Sequence, residues 1–210
     1  MKKVLILSSS PRRTGNSATL AEAAAKGVTD AGHEADFVYL DDFMTGMLRD
    51  CRICRHDSGD CGIQDDYRRL LFDHVLPADG WILATPLYWY GPSGALKTFY
   101  DRMFCYVARS HPEHAEVVAR LLGKRTGLLI ACEESYPNAT APLISQIQEI
   151  CIHLRQELAG TVIGVGNSRG EVRLDPTDPV GRAERLGREL FTARVTDFRL
   201  DTERSGKVWS

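Results

Sequence analysis

The chain has 210 residues, 43% of them hydrophobic and 26% charged, which is enough apolar material for one substantial core or two small ones. Its formal charge of −2 excludes the strongly positive surface of a general nucleic-acid binder or of a protein that coats an anionic membrane. The apolar run at residues 4–7 is too short for a signal-peptide core, and no stretch approaches the ~20 apolar residues of a spanning helix. We therefore expect a soluble cytoplasmic protein that binds neither nucleic acid nor membrane.

Short, β-rich apolar runs alternate along the chain with longer stretches of helical periodicity. In chain order the pattern predicts a strand at 4–7, a helix at 16–31, a strand at 37–40, a helix at 65–75, a strand at 81–84, a helix opened by Pro92 and Ser93, a strand at 126–131, a helix at 143–158, a strand at 161–165 and a helix at 182–195. Residues 107–124 interrupt this regularity with a short helical pattern and form a predicted excursion.

Strict alternation of this kind predicts an α/β fold, a doubly wound five-stranded parallel sheet with helices on both faces. Because no Pro/Gly/Ser-rich linker divides the chain, we expect a single domain over residues 1–198 and a polar C-terminal tail over 199–210. Ligands of such folds bind beyond the carboxyl ends of the strands, where the strand order reverses. The residues that follow the first and third strands are therefore the candidate functional residues.

The loop after the first strand has the composition of an anion-binding site. It runs from Ser8 to Ser17 and supplies hydroxyl groups, Arg12, Arg13 and the start of a helix, whose N–H groups favour negative charge. The loop lacks the glycine spacing of a dinucleotide fingerprint and the Gly-Lys-Ser/Thr of a nucleoside triphosphate loop. A terminal phosphomonoester fits best, and the alternative is a polar turn that only caps the helix.

The loop after the third strand carries three adjacent aromatic residues, Tyr88, Trp89 and Tyr90, between two prolines and next to Gly91. Flat side chains and backbone N–H groups at the edge of a sheet suit a planar heteroaromatic ligand. The alternative is that the aromatic rings belong to the core, but the flanking prolines favour a loop.

Three segments, residues 9–17, 85–91 and 95–102, together resemble the NAD(P)H-dependent FMN reductase family of flavodoxin-like proteins. The resemblance covers about residues 1–165 and implies a flavodoxin-like fold with FMN as cofactor and NADPH or NADH as co-substrate. It also implies a homodimer, to which residues 107–124 and the tail with Trp209 would contribute, and a small-molecule electron acceptor such as a quinone or free flavin.

Carried over residue by residue, the resemblance assigns the FMN phosphate to Ser10, Arg12, Asn16 and Ser17, in a loop that includes Gly15. It places Pro86, Leu87, Tyr88, Trp89, Tyr90 and Gly91 around the isoalloxazine ring. A family glycine is replaced by Ser9, and residues 132–135 match the third flavin loop too loosely for assignment. Since the flavin carries the chemistry, no catalytic side chain is expected.

Two other functions remain open at this stage. One is an electron carrier, of the flavodoxin or iron–sulfur flavoprotein type, which holds FMN without oxidising NAD(P)H. The other is a non-enzymatic binding module on the same fold, because a fold does not by itself determine function.

A cysteine-rich stretch with Cys51, Cys54 and Cys61 resembles an insertion in the iron–sulfur flavoprotein branch of this family, but Asp57 stands where its third cysteine would fall. Cluster ligation normally takes four thiolates, and we expect Cys105, Cys132 and Cys151 to lie in the core, so we expect no cluster and no metal. The three reduced cysteines would then shape a loop beside the flavin, and the alternative is a zinc site that adds His56.

Overall fold

Strands and helices alternate through residues 1–136 and 138–194, the part of the chain that the computed structural model describes. In this part the strands are β1 (Lys3–Ser8), β2 (Glu34–Tyr39), β3 (Gly80–Tyr88), β4 (Gly91–Pro92), β5 (Arg125–Cys132) and β6 (Glu157–Val165). The helices are α1 (Asn16–Asp30), α2 (Tyr67–Arg69), α3 (Gly94–Val107), α4 (His114–Leu121), α5 (Ala141–His153) and α6 (Pro179–Glu189). Helix α2 continues directly into a π-helical segment, Leu70–Val75, and short 3-10 helices occur at Leu40–Asp42, Ile53–Arg55 and Glu171–Leu174.

Five of the strands form one parallel sheet in the order β2-β1-β3-β5-β6. The two-residue strand β4 pairs with the end of β3 in antiparallel orientation. The chain leaves β1 toward β2 on one side and returns to β3 on the other, so the order reverses between β1 and β3. The predicted five-stranded, doubly wound, flavodoxin-like sheet is confirmed.

Side chains from successive positions of each central strand enter cores on opposite faces of the sheet. In β1, Leu5 and Leu7 face a core shared with α3, α5 and the π-helical segment, whereas Val4 and Ile6 face a core shared with α1 and α6. All four side chains are fully buried. The continuous apolar run at 4–7 therefore reflects burial on both faces, as expected for parallel strands covered by helices.

Helices α1 and α6 approach each other at two glycines. A Cβ atom on Gly27 would lie 1.9 Å from the carbonyl oxygen of Glu184, and one on Gly187 would lie 2.1 Å from the carbonyl oxygen of Ala24. Each neighbouring atom belongs to the backbone of the facing helix and has little freedom to move. The absence of side chains at these two positions lets the helices pack in direct backbone contact.

One predicted boundary is wrong, because the helix predicted at 143–158 ends at His153 and Leu158 belongs to β6. The chain reverses where Arg155 adopts a positive φ of 51°, and its carbonyl accepts a hydrogen bond from Gly123 N. Buried Gln156 then bonds Thr126 and the Leu121 carbonyl. These tertiary contacts override an apolar pattern that fits a longer helix.

Other elements differ in extent. The predicted excursion at 107–124 contains α4, and the last helix begins at Pro179, three residues before its predicted start, with Asp178 Oδ1 accepting from Gly181 N at 3.0 Å. That helix ends at Glu189, so its predicted end at 195 is wrong, and residues 190–192 form a turn. The domain boundary at 198 and the tail with Trp209 lie outside the described residues. None of the helices in the described ranges has the length and apolar character needed to cross a bilayer.

Candidate functional site

A cavity of about 680 Å³ opens at the carboxyl edge of the sheet, at the point where the strand order reverses. The ends of β3 and β5 and the loops after β1, β3, β5 and β6 form its walls, and residues 85–88, which the sequence placed in a loop, belong to β3. The lining residues are Ser10, Arg12, Gly15, Asn16, Ser17, Pro86, Leu87, Tyr88, Trp89, Tyr90, Ala131, Cys132, Glu133, Glu134, Gly166, Asn167, Ser168 and Arg169. Every residue predicted for the site is among them except Gly91, which pairs with Tyr88 beside the cavity.

The loop after β1 is tied to the neighbouring strand and ends at the first turn of α1. Ser9 donates to the carbonyl of Ala84 through both its backbone N–H (2.9 Å) and its hydroxyl (3.1 Å). Ser10 Oγ accepts from the N–H of Arg12 at 3.2 Å. Because the first N–H groups of a helix have no acceptor within it, this fixed loop offers donors to an anion at the cavity wall.

The two adjacent arginines of this loop have different surroundings. Arg13 binds the carboxylate of Asp42 at 2.7 and 2.9 Å and lies 3.9 Å from the centre of the Tyr39 ring. Arg12 instead lines the cavity. The structure thus assigns Arg12 to the cavity and Arg13 to the end of β2.

Asn16 also lines the cavity, but its side chain contacts the protein at both ends. Nδ2 donates to the carbonyl of Gly166 at 2.8 Å, and Oδ1 accepts from Val172 N at 3.3 Å. The amide therefore positions the loop after β6. Contact of Asn16 with a phosphate stays a prediction, and its backbone N–H is the group available for it.

The three adjacent aromatic residues lie on a tight hairpin that joins β3 to β4. Tyr88 pairs with Gly91, which leaves Trp89 and Tyr90 as a two-residue turn with φ of 49° and 62°. This conformation is the one that Asn-Gly adopts at least cost, and it is strained for large side chains. Trp89 is nevertheless 95% exposed, so no core contact accounts for the strain.

Hydrogen bonds hold the base of this hairpin. Thr85 Oγ1 accepts from Ser93 N at 3.1 Å, and the hydroxyl of Ser93 donates to the carbonyl of Ser9 at 3.1 Å. The same hydroxyl accepts from Leu96 N and thereby caps α3. The loops after β1 and β3 are thus joined beneath the cavity.

The end of β5 and the loop after it, which the sequence left unassigned, contribute Cys132, Glu133 and Glu134 to the cavity wall. Burial raises the pKa of the Cys132 thiol to about 11, so it remains protonated near neutral pH. Further along the loop, the nearby Tyr90 side chain raises the pKa of Tyr136 to about 12. The loop thereby approaches the aromatic hairpin.

A fourth wall, residues 166–169, was missed by the sequence interpretation. Glu171 Oε2 accepts from the N–H groups of Asn167 (2.8 Å) and Ser168 (2.6 Å), and Asn16 holds the loop from the other side. Arg169 lines the cavity from this loop. The available signal was its place directly after the predicted strand at 161–165, since all parallel strands end at the same edge.

A sequence profile described as NADPH-dependent FMN reductase matches residues 2–167. The chain belongs to this family. FMN and NAD(P)H are accordingly its cofactor and co-substrate, and a rigid anion-binding loop beside an aromatic hairpin is a set of groups that fits FMN.

Similar proteins agree with membership of the FMN reductase family. YwqN of Bacillus subtilis (strain 168), a candidate NAD(P)H-dependent FMN-containing oxidoreductase, is 28% identical over 173 residues, covering 82% of this chain and 90% of YwqN. An iron–sulfur flavoprotein of Archaeoglobus fulgidus is 27% identical over 208 residues, covering 96% of this chain and 84% of that protein. The NAD(P)H:quinone oxidoreductase of Methanothermobacter marburgensis superposes with a TM-score of 0.64 at 17% identity, over 93% of this chain and 98% of that chain, and shows the shared fold.

The cysteine-rich stretch lies outside this cavity, and one expectation about its surroundings is wrong. Cys132 and Cys151 are buried, as predicted, but Cys105 is only partly buried, and it lies near enough to Cys54 and Cys61 for both thiols to raise its pKa. The fold thus brings a fourth cysteine to the stretch from a distant part of the sequence. Across residues 1–136 and 138–194, however, no group of three or more His, Cys, Asp or Glu side chains is arranged to hold a metal ion.

Proposed function

We propose that this protein is an FMN-dependent oxidoreductase that transfers hydride from NAD(P)H to a small-molecule acceptor such as a quinone or free flavin. The observation that carries the proposal is the cavity between β1 and β3, in which an anion-binding loop and an aromatic hairpin form adjacent walls. This arrangement matches a ligand with a phosphate at one end and a planar ring at the other. Membership of the FMN reductase family supplies the identity of that ligand.

Residues of the first loop would hold the phosphate. The guanidinium of Arg12 and the hydroxyls of Ser10 and Ser17 are donors, and bonds from a charged group to phosphate contribute about 1.5–3 kcal/mol each. Ser10 and Ser17 are almost fully buried, so water competes little with the phosphate for their hydroxyl groups. The N–H groups at the start of α1 add to the same site.

The aromatic hairpin and the β5 and β6 loops would position the ring and the second substrate. When bound, FMN supplies the hydride chemistry, which does not require an acid or base side chain from the protein. Residues 86–91 would contact the ring and orient it through backbone N–H groups. Arg169, on its rigid loop, would bind an anionic part of the nicotinamide nucleotide.

Quinones and free flavins are the acceptor classes that we propose. Support comes from structural neighbours described as an NAD(P)H:quinone oxidoreductase and as azoreductases, which share the fold. An exposed aromatic turn beside the cavity also suits planar acceptors that stack on a ring.

We also propose a homodimer, in which a second subunit covers the exposed hairpin. Trp89 is 95% exposed on a strained turn, and an exposed aromatic side chain of this kind is typical of a surface that a partner subunit covers. Light scattering coupled to gel filtration gives the mass directly, and a monomeric mass with FMN bound would contradict the dimer.

An absorption spectrum followed by a turnover assay tests the proposed function. The purified protein should bind FMN with about one flavin per chain and oxidise NADPH or NADH when a quinone is supplied. Bound FMN without oxidation of either nucleotide would identify an electron carrier, and failure to bind FMN at all would favour a binding module. Either result would overturn the proposal.

A further inference from the structure

Residues 56–60 form a turn that packs on His111 and Pro112, just beyond the end of α3. Gly59, at a φ of 68°, donates its N–H to the carbonyl of His56 at 3.0 Å and closes the turn. A Cβ atom on Gly59 would lie 3.1 Å from Cγ of Pro112, and 3.3 and 3.5 Å from Cε1 and Nε2 of His111. The turn therefore contacts the imidazole ring through its backbone, at a position with little room for a side chain.

The imidazole ring of His111 is buried at this contact. Its residue is 2% exposed, and the centre of its ring lies 4.7 Å from that of Tyr106 on α3. Nδ1 accepts a hydrogen bond from Glu113 N at 3.1 Å, whereas Nε2 is buried and forms no hydrogen bond within the described residues. Because a backbone N–H group points at Nδ1, that nitrogen carries no hydrogen, and the ring is neutral with its hydrogen on Nε2.

A second ring hydrogen would be destabilising in this position. Protonation of His111 places the new hydrogen on Nδ1, opposite the N–H group of Glu113, so the hydrogen bond between them is lost. The positive charge would also lie in a site from which water is almost excluded. The folded contact therefore favours the neutral ring.

Charged groups near the ring do not remove this cost. The carboxylate of Glu113 is already bound by the guanidinium of Arg68, at 2.5 and 2.6 Å. Burial is the largest influence on the pKa of His111 and lowers it, with Arg68 and His114 acting in the same direction and Glu113 and the backbone of Gly59 in the opposite direction.

The other elements in contact with the ring supply no compensating charge. Tyr106 of α3 is neutral, because burial raises its pKa to about 12. The turn carries the titratable residues His56, Asp57 and Asp60, but all three are exposed, and the turn contacts the ring through Gly59.

We propose that His111 is a pH-sensitive switch: the neutral ring holds the 56–60 turn against the end of α3, and protonation of the ring releases the turn. The proton comes from the solvent and binds Nδ1. The hydrogen bond from Glu113 N to this atom breaks, and the charged ring moves into water.

The contacts on either side of the turn confine the change to residues 56–60. Arg102 of α3 donates to the carbonyl of Gly46 at 3.2 Å and binds the carboxylate of Asp65 at 2.5 and 2.7 Å. Neither contact involves a histidine. The turn should therefore open between two points that stay attached to the helix.

The direction of the pH dependence follows from the lowered pKa of His111. A released ring has an ordinary pKa of about 6.5, whereas the ring in its closed position binds a proton only at lower pH. The closed turn is therefore most stable above about pH 6.5 and loses stability as the pH falls below this value. From about pH 7.5 to about pH 5.5, the equilibrium constant for opening should rise by up to about tenfold, the effect of one proton bound by the released ring.

Hydrogen exchange of the purified full-length protein tests this proposal. Rates are divided by the intrinsic chemical rate at each pH, and peptides that cover residues 56–60 are compared with peptides from α1. We expect the protection of the turn to fall by up to about tenfold from pH 7.5 to pH 5.5, with α1 unchanged. Equal protection of the turn at both pH values, or an equal loss in α1, would overturn the proposal.

Three variants assign the pH response to one ring. In His111→Asn, the amide oxygen can accept from Glu113 N in place of Nδ1 and does not titrate, so the pH response should disappear. His56→Asn, the matched control, removes an exposed histidine from the turn itself and should retain the full response. Gly59→Ala adds a Cβ atom beside Pro112 and should expose the turn at both pH values, which provides the open reference. A response that persists in His111→Asn or disappears in His56→Asn would contradict the assignment.

Nitrogen-15 spectra of the histidine rings in the unmodified protein decide the question even if His111→Asn fails to fold. At about pH 7.5 the ring of His111 should carry hydrogen on Nε2 only. On acidification it should become protonated over the same pH range in which residues 56–60 lose protection. A hydrogen on Nδ1 at neutral pH, or a protonated ring beneath a turn that stays protected, would refute the switch.

Discussion

The side chain of Asn16 donates a hydrogen bond to the carbonyl of Gly166 at 2.8 Å and so connects the first and last walls of the cavity across 150 positions of sequence. Its carbonyl oxygen accepts from Val172 N on the same loop. A Cβ atom at position 166 would lie 2.7 Å from Val172 N and 3.1 Å from the Asn16 amide nitrogen. The two loops therefore meet at a point that requires both an amide and a glycine.

Replacement of Asn16 should loosen the loop after β6 before it affects the rest of the fold. Asn16→Ala leaves a carbonyl and an N–H group without partners, which should reduce the free energy of unfolding by about 1–3 kcal/mol. Hydrogen exchange should accelerate at residues 166–172. Asn167→Ala is the control, because the loop uses only the backbone N–H of Asn167. Equal exchange rates in the two variants would contradict this role.

Loss of donors from the first loop should weaken FMN binding and leave the fold intact. In Arg12→Ala with Ser17→Ala, removal of two donors to a doubly charged phosphate should raise the Kd for FMN roughly 100- to 10,000-fold. Fluorescence titration measures this change. Arg13→Ala is a matched control, because Arg13 is bound to Asp42. Riboflavin, which lacks the phosphate, should bind the unmodified protein far less tightly than FMN, and unchanged FMN affinity in the double variant would refute the assignment.

Because the hairpin is strained, we expect that a substitution which relieves the strain raises stability and lowers function. Replacing Trp89 and Tyr90 by Asn and Gly gives the turn its preferred residues and should stabilise the FMN-free protein by about 1–3 kcal/mol. The same change removes two aromatic rings beside the cavity and should lower FMN affinity or turnover. Denaturant unfolding and FMN titration measure the two effects. A variant that binds FMN and turns over normally would show that the two aromatic rings contribute neither to FMN affinity nor to turnover.

Arg169 should act on the nicotinamide nucleotide without affecting the flavin. Arg169→Ala should raise KM for NADPH by about tenfold, the effect of losing one moderate charge-assisted bond, with the Kd for FMN unchanged. Arg173→Ala is the control, because Arg173 is exposed on the adjacent 3-10 helix and does not line the cavity. A weaker affinity for FMN in Arg169→Ala would instead place this arginine at the flavin.

The buried pair of Asp65 and Arg102 should contribute to stability only where Asp65 is ionised. Their side chains are 2% and 3% exposed, so Asp65→Asn leaves a buried guanidinium without its counter-charge and should cost about 3–5 kcal/mol. Burial opposes ionisation of Asp65, but it is outweighed by the hydrogen bonds and charge of Arg102 together with the N–H groups of Thr45 and Tyr67, and the pKa of this carboxyl is lowered.

The sign of this shift determines the pH range. A carboxyl whose pKa is lower in the folded state stabilises the protein above its unfolded pKa of about 3.9, and the stabilisation is lost as the pH falls through the folded value. Thermal unfolding at a series of acidic pH values should therefore show a shallower loss of stability for Asp65→Asn than for the unmodified protein. Asp66→Asn, an exposed neighbour, should retain the original pH profile.

The sequence alone determined the sheet and the position of the cavity. Continuous apolar runs such as 4–7 indicate strands buried on both faces, and their alternation with helical periodicity leaves a doubly wound order as the simplest solution. The carboxyl ends of such strands meet at one edge, so residues after the first and third strands could be assigned to one site before any distance was known. Only Gly91 of the predicted residues lies beside the cavity rather than in its wall.

Only the tertiary structure decided which distant residues meet. The partner of Asn16 lies 150 positions away, the thiol near Cys54 comes from α3, and the end of α5 depends on the bonds of Gln156 to two other segments. The left-handed turn at Trp89 and Tyr90 likewise contradicts their intrinsic preference and exists because β4 pairs with β3. Periodicity and propensity report the burial and conformation of neighbouring residues, whereas these contacts depend on strand order and helix packing, which no local pattern encodes.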